Sequence, residues 1–529
     1  MTTMDPKSSA GKFPLPAQRV QLAVVGAGPA GLAAALAGAA AGLSVLLVDE
    51  NPVDGGLIGR DVPLLYGGRA TAAVSRPQRL LQRMLDANPA LAEAVEQGID
   101  VQLSTSCWGC FANGPNLQAL PGVLLGLADA GRSWMVAAEQ VVLATGARDL
   151  ALGFPGAELP GVMGAQALAM LLDGYDAFAG RRAVVLGGGQ MGIEAALRLQ
   201  ARGIAVAAVV EAQPAPPAAA SLRQALAAAG VPLLCDLLPA EAIGGVDGVT
   251  ALRLAAADGT AGPVLEADTI VLAVGRVPVV DLAQVAGCRL TFSAAHGGWV
   301  PVLDGDGRSS QSRVLVAGDA AGLADPDAAR MAGQRAGLAA AQALGRTVAP
   351  PERPALAAEG ADDPIAYRLD WMRGLRALGG GNTLACRCEE VTHDELLGLR
   401  PPRYLDAAAP RPQGIAVLQE GAPVHPDQVK RLTRAGMGPC QGRRCREQVA
   451  MLLSLATGTP LERIPLASYR APVRPLPLQL LAEAEEPPSM AEHWEVWFGI
   501  HGQWVPWRDI GTPREVLDRY GEPADPGHL

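Results

Sequence analysis

Residues 20–50 place an apolar run (VQLAVV), a glycine turn (GAGPAG), an alanine-rich stretch and a second apolar run (SVLLV) in immediate succession, ending in Asp49–Glu50. Few architectures accept this order. Two buried parallel strands need a crossover, and an interposed helix supplies it. Gly26, Gly28 and Gly31 occupy the positions of a GxGxxG turn, with Pro29 and Ala30 inside it. The first glycine permits the tight turn, the second lets backbone approach a pyrophosphate, and the third allows close helix–strand packing. The helix N-terminus then faces the anion, and an acid at the end of the second strand meets ribose hydroxyls. Residues 20–48 carry no charge over 29 positions, long enough for a membrane span. The glycines and Pro29 break the run, so no span is expected.

The pattern occurs twice. RRAVVLGGGQMGIEAALRLQARGIAVAAVVE places Gly187, Gly189 and Gly192 after a strand, and Glu211 follows Gly187 by 24 residues, the same offset as Glu50 from Gly26. An acid there repels a 2′-phosphate, which favours NAD(H) over NADP(H). NAD(H), another adenine nucleotide or no ligand at all remain open for this second turn, because a duplicated fold can persist as scaffold.

The 529 residues are 49% hydrophobic and 18% charged, which excludes general disorder and leaves room for three or four domains. A net charge of −10 without a long basic run disfavours nucleic acid. The first 19 residues contain no apolar core of the signal-peptide kind. A cytoplasmic protein, or one peripheral to the inner membrane, is expected, and in that compartment clustered cysteines are ligands rather than disulfides.

Two further strands run into glycine, VVLATGARD (141–149, with Ala144, Thr145 and Gly146) and IVLAVGRVP (270–278). Residues 312–341 form a strand, Gly318–Asp319, a loop and a small-residue helix. In this order the motifs resemble the two-dinucleotide-binding-domain flavoproteins of the glutathione reductase and thioredoxin reductase type. The resemblance implies an α/β fold of nested Rossmann-like domains. An FAD domain (20–150 with 286–345) would be interrupted by an NAD(P)-type insert (151–285), with Asp319 at the ribityl chain. The paired redox cysteines of the disulfide reductases are missing from 51–63 and from the insert. Cys107 and Cys110 sit in an expected strand and are taken as core thiols.

Four of the eight cysteines lie in two close pairs, Cys386-x-Cys388 and Cys440-x4-Cys445. Thiolates so paired can hold zinc or a [2Fe–2S] cluster. The surrounding words, CRCEEVT and QVKRLTRAGMGPCQGRRC, resemble the bacterioferritin-associated-ferredoxin-like [2Fe–2S] domain. That resemblance makes Cys386, Cys388, Cys440 and Cys445 the cluster ligands within a small domain at 380–456. Residues 401–423 read as an insertion, and Lys430, Arg431, Arg434, Arg443, Arg444 and Arg446 surround the pairs.

A flavin accepts electron pairs and releases them singly, which suits a one-electron cluster. None of the six histidines stands in a recognisable pair with Ser, Cys or Asp, and no catalytic acid or base is assigned. Residues 20–475 resemble the larger subunit of heteromeric bacterial amino-acid dehydrogenases: hydrogen cyanide synthase, the opine oxidases and the hydroxyproline dehydrogenases. The resemblance implies an amino-acid-oxidising flavoprotein partner, often with a small ferredoxin-like subunit, and transfer of electrons to a quinone or other acceptor. The turn GGLIGR, with Gly56 as a cofactor contact, departs from the group's usual GGQ. A stand-alone NAD(P)H-dependent FAD/[2Fe–2S] reductase and a zinc-stabilised scaffold are the alternatives. A Pro-rich stretch at 466–488 precedes a Trp-rich element at 489–529, expected to be a hairpin and short helix.

Overall fold

The computed structural model describes residues 16–53, 68–114, 120–349, 364–405, 414–420, 423–482 and 511–513. Residues 17–478 form one compact unit. Gly56 and nearly all of the Trp-rich element lie outside the described residues.

The first sheet runs in the order Asp100–Gln102, Val45–Val48, Gln18–Val25, Ser133–Leu143, Val123–Ala128, Ser106–Phe111, and Val314–Val316 also pairs with Ser133–Leu143. The strands 100–102, 45–48, 18–25 and 133–143 are parallel neighbours, as is 314–316 on 133–143. The other two add antiparallel. Continuous apolar sequence explains the central positions. Leu22, Ala23, Val24, Leu46, Leu47 and Val48 are wholly buried, as a strand covered on both faces requires. The long uncharged segment is therefore strand, helix Pro29–Ala40 and strand. Among the described residues no helix is long and apolar enough to cross a membrane.

A second, all-parallel sheet lies in sequence between two strands of the first. Its order is Leu233–Leu234, Ala205–Val210, Arg182–Leu186, Thr269–Leu272, Val162–Gly164. The two passages between the sheets zip together as an antiparallel ribbon, Ala147–Asp149 against Arg276–Pro278. Thr145 Oγ1 donates to Val279 O at 2.7 Å, and the Val279 amide donates to Gly146 O at 3.0 Å.

Helix Pro326–Ala343 returns across helix Pro29–Ala40 at very short range. A Cβ on Gly333 would stand 1.9 Å from Ala30 O, and one on Gly337 2.3 Å from Ala34 O. The small-residue composition of both helices follows from that approach.

The cysteine-rich region (helix Pro364–Gly379, the short strands Leu384–Cys386 and Val391–Thr392, helices Pro426–Thr433 and Arg446–Thr457) shares a core with the second sheet. Trp371 is fully buried there with Leu186, Ile270 and Leu452. Gln448 ties the halves by accepting from the Gly153 amide at 2.6 Å and donating to Leu384 O at 3.1 Å. Cys107 and Cys110 are unpaired thiols buried in strand Ser106–Phe111, and burial pushes the Cys107 thiol up to about 12. They pack as core residues.

Gly333→Ala should force these two helices apart at a cost of about 1–3 kcal/mol or more. A lowered Tm with unchanged secondary-structure content is the expected measurement, and an unshifted Tm contradicts the close-packing account.

Candidate functional site

The two glycine turns obey the same steric constraints. Gly26 (φ +110) and Gly187 (φ +113) adopt backbone closed to other residues, and a Cβ on either would strike a carbonyl, Ala144 O or Ala273 O. A Cβ on Gly31 or Gly192 would lie 1.7 or 1.8 Å from the carbonyl of the first glycine. Pro29 sits at the start of its helix, where its missing amide costs nothing. Open space faces Gly28, as a turn that cradles a pyrophosphate needs, whereas Gly189 has Pro217 within 3.7 Å. Gly318 (φ +67) brings the Gly–Asp turn against Ala30, so Asp319 arrives beside the first glycine turn.

One expectation is corrected. Counting 24 residues from the first glycine pairs Glu211 with Glu50, but the structure pairs Glu211 with Asp49. Asp49 Oδ2 accepts from the Ala27 amide at 2.6 Å, and Glu211 Oε2 from the Gly188 amide at 2.7 Å. Each acid is the first residue after its strand. A register irregularity between Val206 and Ala208 adds one residue to the second strand, which explains the different offsets. Glu50 points elsewhere, to Arg474 Nε at 2.9 Å, and that guanidinium holds its carboxyl below the ordinary value of 4.5. Burial raises Asp49, partly offset by the Ala27 and Asn51 amides.

The two turns open on one cleft of about 530 Å³, bordered by Pro29, Gly189, Gln190, Arg276, Asp319 and Tyr367. This is within the range of small-molecule and cofactor sites. Arg276 Nη1 donates to Asp319 Oδ2 at 2.8 Å, so the Gly–Asp carboxylate is oriented by the ribbon that joins the sheets. Behind the cleft, Asp149 caps the helix at Gln166 through that amide at 3.0 Å, and burial raises its carboxyl to about 6. His296 Nδ1 lies 2.8 Å from Ser293 Oγ, a pair missed in the sequence. It is a contact within one turn, and no carboxylate among the described residues orients the ring.

The four cysteines of the C-terminal pairs meet although 51 residues separate the pairs. Cys386 Sγ and Cys388 Sγ are 3.9 Å apart, Cys388 Sγ and Cys440 Sγ 3.6 Å, and Cys445 faces Cys386. Thiolates on one tetrahedral metal stand about 3.8 Å apart. The Gly436 amide donates to Cys386 Sγ at 3.4 Å, and a Cβ on Gly438 would strike Cys388 Sγ. Cys445 is the N-cap residue of helix Arg446–Thr457. Among the described residues no group of three or more Cys, His, Asp or Glu is arranged to hold a single ion.

Arg446, next to Cys445, starts a buried chain of charge. Its guanidinium pairs with Asp281 at 3.5 Å and lies over the Tyr469 ring at 4.1 Å. Asp281 also meets Arg474 at 3.5 Å, and Arg474 meets Glu50. Burial alone would raise the Asp281 carboxyl, but Arg446, Arg148 and Arg474 outweigh it and hold it low. Arg148, of the ATGARD segment, pairs with Glu447 at 2.6 Å. Of the basic residues around the cysteines, Arg434 is paired with Glu389 at 2.6 Å.

Known proteins agree with this geometry. Residues 20–343 match the pyridine nucleotide-disulphide oxidoreductase family, and residues 425–485 match the sarcosine oxidase A3 domain. The chain is 30% identical to an opine oxidase subunit of Agrobacterium tumefaciens (strain Ach5), over 87% of its own length and 91% of that protein. It is 29% identical to hydrogen cyanide synthase subunit HcnB of Pseudomonas aeruginosa, over 84% and 97%. The fold is shared with the crystal structure of L-proline dehydrogenase from P. horikoshii (TM-score 0.58, 22% identity, 88% and 80% covered). The chain belongs to the pyridine nucleotide-disulphide oxidoreductase family. It is an FAD-dependent oxidoreductase of the type that forms part of heteromeric amino-acid oxidases and dehydrogenases.

Three outcomes follow from the reassigned acid and the chain of charges. Asp49→Ala should weaken flavin retention about 10- to 100-fold, as loss of charged hydrogen bonds does, while Glu50→Gln stays within about twofold. The Glu50–Arg474 contribution to stability is complete above the ordinary carboxyl value of 4.5 and is lost as pH falls through the lower folded value. Wild type and Glu50→Gln should therefore differ in Tm near neutrality and converge in acid. Asp281→Asn, which leaves two buried guanidiniums facing a neutral group, should cost about 3–5 kcal/mol in denaturant unfolding.

Proposed function

We propose that the chain is the electron-transferring flavoprotein subunit of a heteromeric amino-acid dehydrogenase acting on a proline/hydroxyproline, opine or glycine-class substrate. A partner flavoprotein oxidises the amino acid, and this chain carries the electrons to a quinone or other acceptor. A small ferredoxin-like protein is a further partner. The assignment of parts is FAD at 20–150 with 286–345, a nucleotide-type insert at 151–285, a [2Fe–2S] domain at 380–456 and a Trp-rich element at 489–529. The protein works in the cytoplasm or at the inner-membrane surface.

The observation that carries this reading is the row of thiols Cys440–Cys388–Cys386–Cys445, joined through Arg446, Asp281 and Arg474 to Glu50 beside the first glycine turn. A C-x-C pair is less usual for zinc than C-x2–4-C, which favours a two-iron cluster. The open face of Gly28, the helix start at Pro29 and the Asp49 carboxylate suit an adenine dinucleotide. The two bound groups would supply acceptance of an electron pair and its release one electron at a time. The residues do the rest. The Ala27–Ala30 turn would hold the pyrophosphate, and Asp49 would take the ribose hydroxyls. Asp319, held by Arg276, would meet the ribityl chain. Arg446 and Arg474, each paired with carboxylates, form a charge-balanced chain from the thiols towards the first turn.

Expression with the genes of the partner proteins should yield a complex whose visible spectrum contains both flavin and charge-transfer bands. Cys386→Ser and Cys445→Ser should remove iron while leaving flavin in place. The isolated chain should reduce slowly with NADH, and full bleaching of its flavin by NADH within seconds favours the stand-alone reductase instead.

A further inference from the structure

The two strand-end acids occupy equivalent positions and have opposite surroundings. Asp49 is half-buried. Among the described residues its Oδ1 accepts from the Asn51 amide at 2.7 Å and from Asn51 Nδ2 at 3.0 Å, and its Oδ2 accepts from the Ala27 amide. A carboxylate offers about four acceptor positions, so these three donors leave one.

Glu211 is closed off. It is 0% exposed. Its Oε2 accepts from the Gly188 amide at 2.7 Å and from Tyr367 Oη at 2.7 Å, and its Oε1 accepts from the Gln213 amide at 2.9 Å. Tyr367 reaches the acid from helix Pro364–Gly379, 156 residues away in sequence, and its ring packs edge-on against the buried Trp371 at 6.5 Å. Pro216 and Pro217 close the same turn from the other side, 3.0 Å from a Cβ on Gly188 and 3.7 Å from one on Gly189.

We infer that Tyr367 occupies the ribose subsite of the second dinucleotide unit, its hydroxyl standing in for a ribose hydroxyl on Glu211, so that an adenine nucleotide must displace it to bind. The inference rests on the reading of 151–285 as a nucleotide-type unit and deepens it. The second turn keeps the backbone shape of a dinucleotide site, and a side chain of the same polypeptide takes its specificity contact. Tyr367 also borders the cleft shared by both turns, so its displacement would open the second turn towards the first. Nucleotide affinity at this unit is accordingly set by the helix that begins the cysteine-rich region, not by the glycine turn alone.

The test is titration of the full-length, flavin-loaded chain with NADH, NAD⁺ and ATP, followed by calorimetry, for wild type, Tyr367→Phe and Tyr367→Ala. Tyr367→Phe removes only the hydroxyl and keeps the ring on Trp371, so it decides the matter if the alanine variant folds poorly. Release of the acid should tighten binding of at least one nucleotide about tenfold or more in Tyr367→Phe, and further in Tyr367→Ala. Equal affinity in wild type and both variants overturns the inference. So does weaker binding in the variants, which would make Tyr367 part of the nucleotide site, or no binding by any of the three. Flavin and iron content are measured on the same samples. Their absence would count against the electron-transfer reading, while the nucleotide titration bears on Tyr367 alone.

Discussion

Asp281 is the point on which the arrangement turns. A carboxylate 1% exposed is tenable only if opposite charge reaches it, and here Arg446 and Arg474 arrive from segments more than 160 residues away. Arg446 follows the last clustered cysteine, and Arg474 grips the acid beside the first glycine turn. A single buried anion thus holds the cysteine-rich region, the return from the second sheet and the end of the strand Val45–Val48 in one geometry. Any electron path between the first turn and the thiols inherits its distance from this constraint.

Internal repetition supplies the frame, and the differences between the copies supply the specialisation. Both turns obey the same sterics, with a carbonyl from the next strand packed under the first glycine and the third glycine packed on the first. One copy leaves its middle glycine open and its acid partly exposed. The other carries Pro216 and Pro217 at the turn and Tyr367 on the acid. Identical backbone physics therefore produces an open subsite and an occupied one, and the outcome depends on what the rest of the chain packs against each.

The cysteine-rich region is built into the second sheet rather than tethered to it. Trp371, Gln448 and the apolar face of helix Arg446–Thr457 share a core with residues such as Leu186 and Ile270. Such a junction resists independent motion of the two parts, and it makes the placement of the thiols a property of the whole core.

Local backbone constraint was legible without the structure. Positive φ at Gly26, Gly187 and Gly318 is a local matter, and Gly31 and Gly192 pack on the glycine five residues before them, so the glycine pattern announced both turns and the Gly–Asp return. The wholly apolar strands announced their central places in the same way. The cysteine spacing announced four thiols that would meet. Of the two acids Asp49 and Glu50, the equal offset matches the wrong one to Glu211, because a bulge in one strand changes the count without leaving a mark in composition. Tyr367 on Glu211, Arg474 on Glu50 and Arg446 on Asp281 were invisible. Each joins residues 156 to 424 positions apart, and whether a charge or hydroxyl finds a partner depends on which surfaces are buried together. The sequence determined the turns, the strands and the chemistry available. Tertiary packing alone decided which acid stays partly exposed, which one Tyr367 covers, and where the charges between the first turn and the thiols lie.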